Sequence, residues 1–351
     1  MWWAGVAWRD GDFEVAVVDD AGDEVVPATI FAGRHAPALI ELLRGYSGKA
    51  QGGLATVIES TNGMLDGHLL AAGLTVYRAD PPALPQRPVL GSVPGRDLAC
   101  CGALNRDALH HLTVSSGALA GRVDEFLDQI ARSARVEREL IDSGQCIERG
   151  SGTVPEVAIT FDDGPHPIFT PEVLDLLARY QVRATFFCVG LNLNAYPELA
   201  GRAADEGHLV GNHTWSHPYL PDLTRDQLLG QIDATSAAMT RAVGRSTTLV
   251  RPPYGSRTPE ALSWLAGHGM TTVLWDIDAH DWATPGTDAI VTEVARATDG
   301  SVILMHDAGG DRTQTIEALP RILEHLLERD YRFVTIDQLT RHPVTGPAAA
   351  G

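Results

Sequence analysis

From residue 157 onward the pattern runs strand, then helix, then strand at the intervals of β/α units, and this alternation restricts the second half to a mostly parallel α/β fold. Candidate strands fall at 157–161, 184–189, 209–212, 247–250, 272–276, 301–305 and 332–335. Parallel strands in that number predict a barrel. In such barrels the residues just past the C-terminal strand ends converge on one face, where chemistry is normally built.

The strand ends carry chemistry-bearing groups. The first candidate strand ends in Asp162-Asp163, the third runs into Asn212-His213-Thr-Trp-Ser-His217 and the fourth ends at Arg251. The fifth leads to Asp278 and Asp281, and the sixth ends at His306-Asp307. Scattered surface polarity would not respect strand ends.

His213 and His217 stand four apart, so on a helical turn both imidazoles would project from one face, as in a two-histidine metal site. Adding one carboxylate gives the three protein ligands and open position that catalytic zinc requires, and a set with Asp163 is chemically sufficient. Adjacent aspartates on an extended strand diverge. One can therefore bind a cation while the other accepts a proton from the water that the cation acidifies. Hydrolysis of an amide also needs a proton for the leaving nitrogen. His306 is the candidate acid, kept protonated near neutral pH by a neighbouring carboxylate, for which Asp281 is the choice. An isolated HxxxH or an Asp-Asp-Gly turn would carry little weight; their coincidence at strand ends carries much more.

With 351 residues, the chain has room for two domains. Alternation at 13–18 and 25–31 around an Asp-Asp-Ala-Gly-Asp turn predicts a hairpin opening an α/β domain. A helix at 36–45, a strand at 55–59, a helix at 63–72 and a strand at 74–78 continue it. The Pro-rich run 81–94 breaks regular structure, and 104–142 reads as helical, with Val123, Phe126, Leu127 and Ile130 on one face. The expected organisation is an α/β domain over 1–142, a Gly-rich linker over 143–155, a barrel over 156–342 and a flexible tail over 343–351.

A formal charge of −18 and a pI near 5.0 disfavour attraction to nucleic acid or to an anionic membrane surface. Cys100, Cys101, Cys146 and Cys188 follow no disulfide or zinc-knuckle spacing and read as free thiols in a reducing compartment. The N-terminus lacks the features of a secretory signal, and no run is long enough to span a bilayer. Cytoplasmic residence is the expectation.

Five stretches, in order and spacing, carry a resemblance: Thr160-Phe-Asp-Asp-Gly-Pro165, His213-Thr-Trp-Ser-His217, Arg251-Pro-Pro-Tyr-Gly255, Asp278-Ala-His-Asp-Trp282 and Leu304-Met-His-Asp307. They resemble the signatures of the NodB-type polysaccharide deacetylases, carbohydrate esterase family 4. The resemblance covers roughly 154–342 and implies a distorted (β/α) barrel that removes acetyl from an N-acetylated sugar. It implies Asp162 as catalytic base, Asp163, His213 and His217 as metal ligands, and Arg251 as the partner of the base. It further implies the Tyr254 backbone N–H as oxyanion donor, His306 as general acid tuned by Asp281, and Trp282 and Leu304 as the lining of an acetyl pocket. One divalent ion is implied, zinc first, with cobalt, nickel and iron compatible with the same ligands. Family members are usually exported to act on wall polymers. Without an export signal, a soluble glycosylated metabolite stands beside an acetylated polysaccharide as the substrate.

The first hundred residues resemble, more faintly, the RNase H-like domain of IS110-type transposases. The likeness rests on Gly5-Val-Ala-Trp8, Ile58-Glu-Ser-Thr-Asn-Gly63, Leu70 to Val76 and Ser92 to Ala99. Of the acidic set only Glu59 and Asp97 remain, with Ala7 and Pro94 where others belong, so a two-metal nuclease site does not form. Residues 1–150 hold 13 Lys and Arg against 20 Asp and Glu, which also argues against duplex binding. The expected uses of this domain are homo-oligomerisation, substrate presentation or a lid on the barrel. Alternatives for the whole chain are an O-acetyl esterase or cyclic amidase on the same scaffold, or a nucleic-acid-associated module carrying a passenger barrel.

Overall fold

Two sheets organise the chain in a computed structural model that describes residues 1–341; the expected tail at 343–351 lies outside the described residues. The first sheet is opened by β1 (Trp2–Arg9), β2 (Asp12–Asp19) and β3 (Glu24–Ala32), all antiparallel. A two-residue Asp10-Gly11 turn joins β1 to β2, and Asp10 takes the positive φ of 55° that such tight hairpins require. Next come α1 (Ala36–Lys49), β4 (Leu54–Glu59), α2 (Gly63–Ala71) and β5 (Thr75–Ala79). Then follow α3 (Gly95–Leu104), β6 (Leu109–Leu112) and α4 (Val123–Asp142). The strand order is β3-β2-β1-β4-β5-β6, with β1, β4 and β5 mutually parallel.

The second sheet begins with β7 (Cys146–Ile147) and β8 (Glu156–Asp162), followed by α5 (Phe169–Tyr180) and β9 (Thr185–Cys188). After α6 (Gly190–Ala195) and α7 (Pro197–Asp205) come β10 (Leu209–Asn212), α8 (Arg225–Val243) and β11 (Leu249–Val250). The chain continues through α9 (Pro259–Gly267), β12 (Thr271–Val273), β13 (Ile277–Asp278), α10 (Thr287–Val294) and β14 (Val302–His306). It closes with α11 (Thr313–Glu328), β15 (Arg332–Phe333) and α12 (Ile336–Leu339). Every pairing in this sheet is parallel, in the order β13-β14-β8-β9-β10-β11-β12-β7 with β15 beside β8, a curled half-barrel with β7 and β13 at its edges.

Three expectations need correction. Only the last part of 104–142 is helical: Leu109-His-His-Leu112 pairs antiparallel with β5, and Gly117 and Gly121 take φ of 51° and 74°, which a continuous helix cannot contain. The segment expected as a plain linker contributes β7, whose Cys146 and Ile147 pair with Thr272 and Val273. The strand expected at 272–276 is split into β12 and β13, because Asp276 turns its carboxylate onto the Val302 N–H and Ser301 hydroxyl.

The two sheets share one apolar core. Trp8, Leu65 and Leu69 belong to the same buried cluster as Phe161, Leu191 and Trp215. Polar ties reinforce it: the Trp215 indole donates to the Asp10 carbonyl at 2.7 Å, Arg122 pairs with Asp222 at 2.7 Å, and the Tyr219 hydroxyl donates to Gln129 at 2.6 Å. Buried apolar area contributes about 25 cal/mol per Å², so a continuous core of this kind holds the two sheets as one body.

Candidate active site

The site lies at the C-terminal ends of β8, β10, β11 and β14. Asp162 is the last residue of β8 and Asp163 the first beyond it, with φ at 77°. That reversal breaks the strand's alternation, so the two carboxylates do not diverge as extended neighbours would: both approach His213 Nε2, at 3.6 and 3.5 Å. Asn192 holds the turn by donating to the Asp163 carbonyl at 2.7 Å.

The histidine pair does not sit on a helix. Residues 213–217 form an irregular loop after β10, with Thr214 and His217 at φ of 66° and 59°. Asn212 accepts the Thr214 N–H at 2.9 Å, and the Gln231 side chain accepts the N–H groups of Trp215 and Ser216 at 2.8 and 2.9 Å. These bonds satisfy the loop's buried backbone and bring the imidazoles to a centroid separation of 5.0 Å.

Asp163 Oδ1 stands 3.5 Å from His213 Nε2 and 3.2 Å from His217 Nε2, and one ligand atom from each residue falls within 4.8 Å of the others. His213 Nδ1 donates to the Arg251 carbonyl at 2.7 Å, which fixes the tautomer and leaves Nε2 with a free lone pair. Asp163 Oδ1 is buried without a hydrogen-bond donor. An acceptor oxygen orphaned between two imidazole nitrogens is the arrangement a divalent cation completes, so the residues fit such an ion.

Asp162 sits beside this cluster, its Oδ2 3.6 Å from His213 Nε2. Its Oδ1 accepts from Arg251 Nη1 at 2.8 Å. Arg251 is fully buried, donates to Thr160 Oγ1 at 2.6 Å and to the carbonyls of Val273 and Leu274, and lies over the Phe187 ring at 4.3 Å. A guanidinium so enclosed has one geometry. It therefore fixes the position of the Asp162 carboxylate.

Across the site, His306 Nδ1 contacts Asp281 Oδ1 at 2.7 Å, and the His306 N–H donates to Asp281 Oδ2 at 2.9 Å. Thr315 donates to the same oxygen, and Arg312 to the Asp281 carbonyl. Burial alone would push the imidazolium down, but the bonded Asp281 carboxylate, with Asp163 further off, outweighs it and holds His306 up at about 9. Leu304, two residues earlier on β14 and so on the same strand face, is buried; Trp282, next to Asp281, is half exposed. Tyr254 takes a left-handed conformation, φ 59°, and its ring packs edge-on against His217 at 4.4 Å.

Sequence reasoning assigned no role to two contributors. Asp307 turns inward beneath the Asp162-Asp163-Gly164 turn, accepts from Thr170, and donates its N–H to the Asp162 carbonyl at 3.2 Å. Burial, with Asp163 and Asp162 near, lifts it to about 7. Its place beside His306 was the available signal. The other contributor is α2 of the first sheet, which carries Asp66 and His68 to the site. Asp66 is pushed up to about 6 by burial against the pull of His217 and accepts the Gly67 N–H at 2.6 Å; the His68 ring stacks on His166 at 5.8 Å.

A sequence profile of the family described as polysaccharide deacetylase matches residues 149–273. A peptidoglycan-N-acetylglucosamine deacetylase of Bacillus cereus is 41% identical over 189 residues, 53% of this chain and 88% of that protein. A chitooligosaccharide deacetylase of Sinorhizobium fredii is 38% identical over 210 residues, 56% of this chain and 98% of that protein. The crystal structure of a peptidoglycan N-acetylglucosamine deacetylase superposes with a TM-score of 0.56 at 35% identity, covering 58% of this chain and 97% of that one. The chain belongs to the polysaccharide deacetylase family. It is a metal-dependent hydrolase that removes an acetyl group from an N-acetylated sugar.

Proposed function

We propose that the five motifs form a single deacetylation centre and that its substrate carries an N-acetylglucosaminyl group. The observation that carries the assignment of roles is the donor-free Asp163 Oδ1 between two imidazole nitrogens, with Arg251-bound Asp162 next to it. Asp163, His213 and His217 would hold a divalent ion, zinc in the first place, which would supply Lewis acidity to a water molecule and to the acetamide carbonyl.

The chain's own groups do the rest. Asp162, oriented by Arg251, accepts the proton of the attacking water. The Tyr254 N–H, in its left-handed turn, donates to the carbonyl oxygen as negative charge develops there, a contribution of about 3 kcal/mol for one such donor. His306, charged because Asp281 holds its Nδ1–H, delivers a proton from Nε2 to the departing nitrogen. The C–N bond breaks with that transfer, giving acetate and a free amine. Leu304 and Trp282 flank the acetyl methyl.

For the N-terminal sheet we infer an RNase H-like fold without nuclease chemistry. The reading is supported by its strand order, in which an antiparallel β3-β2-β1 ribbon continues into parallel β4 and β5. Of the two remaining acidic residues, Glu59 accepts from Thr61 at 2.7 Å and from the Val93 N–H at 3.2 Å, and Asp97 faces solvent on α3. Cytoplasmic residence remains part of the proposal, supported by four free cysteines.

Acetate release from N-acetylglucosamine oligomers by the zinc-loaded chain tests the reading. Turnover of O-acetyl xylose esters with none of acetamides would replace it with an esterase.

A further inference from the structure

We infer that α2 is a fixed roof over the deacetylase site, and that this enzyme acts on a small acetamido compound or a chain-end residue instead of an internal residue of a polymer. The inference rests on the deacetylase reading above and narrows its substrate class.

Two glycines four residues apart put one face of α2 directly on the catalytic loops. A Cβ at Gly63 would stand 2.0 Å from the Tyr254 hydroxyl and 2.4 Å from the His217 carbonyl; one at Gly67 would stand 2.2 Å from the Gly309 carbonyl. Backbone approach this close is open only to glycine. Four residues of helix rise about 6 Å, so α2 bridges from the loop of the second histidine ligand to the loop that follows His306. Asp66 lies between the two glycines, its carboxylate accepting the Gly67 N–H at 2.6 Å, and it lines a cavity together with Gly63 and Tyr254. It is not one of the three clustered ligands.

The ties of α2 to the barrel are those of a wall. Immediately before the helix, the Ser60 carbonyl accepts the Tyr219 N–H at 2.9 Å and the Thr61 carbonyl accepts the Ser216 hydroxyl at 2.5 Å. The helix's Leu65 and Leu69 are fully buried in the core shared with the barrel. Solvent still reaches the site, since the Asp163 and His306 side chains keep 14% and 12% of their exposure, and Trp282, 49% exposed, marks the open side. An internal residue of a polymer needs clearance for chain on both sides of it. A site walled on one side and open on the other admits a residue that ends a chain or stands on a small aglycone.

The test uses the full zinc-loaded chain with the dimer and hexamer of N-acetylglucosamine and with glycol chitin, each deacetylated position located by mass spectrometry. The inference expects at least tenfold higher kcat/KM for the dimer than for glycol chitin, and deacetylation of the hexamer at a chain end alone. Internal deacetylation of the hexamer, or glycol chitin turned over as fast as the dimer, overturns the roof while leaving the deacetylase reading intact; no acetate from any acetamide overturns both. In Gly67→Leu, where the added side chain meets the Gly309 carbonyl, the ratio of polymer to dimer activity should rise tenfold.

Discussion

Replacing Asp281 with Asn should move the alkaline limb of activity down by more than two pH units. In the native site the buried Asp281 carboxylate is what carries His306 from its ordinary 6.5 to about 9. That difference corresponds to about 3 kcal/mol at 1.36 kcal/mol per pH unit. The amide of Asn keeps the shape and one bond but no charge, so burial, which opposes the imidazolium, is left unbalanced and His306 falls to 6.5 or below. At pH 7.5 an acid of pKa 9 is about 97% protonated and one of 6.5 about 10%, which predicts a loss of roughly tenfold or more in kcat/KM on an acetamide. Stability follows the same sign. Because the folded imidazolium is favoured, its contribution is fully present below pH 6.5 and is lost as pH rises through about 9; Asp281→Asn should abolish that slope in thermal melts. The bound cation offsets the charge of Asp163, so the native limb of the loaded enzyme should lie somewhat below 9. A pH–rate profile on an N-acetylglucosamine oligomer and on an activated acetate ester reads both effects. An alkaline limb unmoved in Asp281→Asn would refute the assignment of His306 as the acid.

Asp162→Asn should retain one metal ion per chain while kcat falls by about a thousandfold, whereas His217→Ala should lose the metal as well; elemental analysis beside acetate release distinguishes the two, and full activity with full metal in either refutes the roles. His306→Ala should slow acetamides far more than activated esters, because a good leaving group needs no proton; equal slowing would show that His306 is not the donor. Arg251→Met leaves the Asp162 carboxylate buried without its partner, for which a stability loss of about 3–5 kcal/mol is expected in denaturant melts. A loss under 1 kcal/mol would mean that water replaces the guanidinium there.

The chemistry of the barrel was legible because it obliges particular residue types to stand at strand ends, and the strand ends could be read from apolar runs. Asp162, Arg251 and His306 fall at β8, β11 and β14 as that reasoning requires. What the letters could not give was local conformation. His213 and His217 have helical spacing, yet they converge through left-handed Thr214 and His217 and through Gln231, a residue of α8 with no sequence relation to the motif. The strand β6 was lost for a similar reason: Leu109-His-His-Leu112 is too short to show a period, and its partner β5 decides its state. The roof was the least visible feature, since its contacts join residues more than 150 positions apart. The glycine pair at 63 and 67 was its one trace in the sequence, small residues four apart on a helix whose close approach to a neighbour calls for them.

The most direct measurement is anomalous scattering at the zinc edge from crystals of the metal-loaded chain. One peak is expected within bonding distance of Asp163, His213 Nε2 and His217 Nε2, with Asp162 beside it and unligated. A peak elsewhere, or none in a chain that still releases acetate, would contradict the account of how this site works.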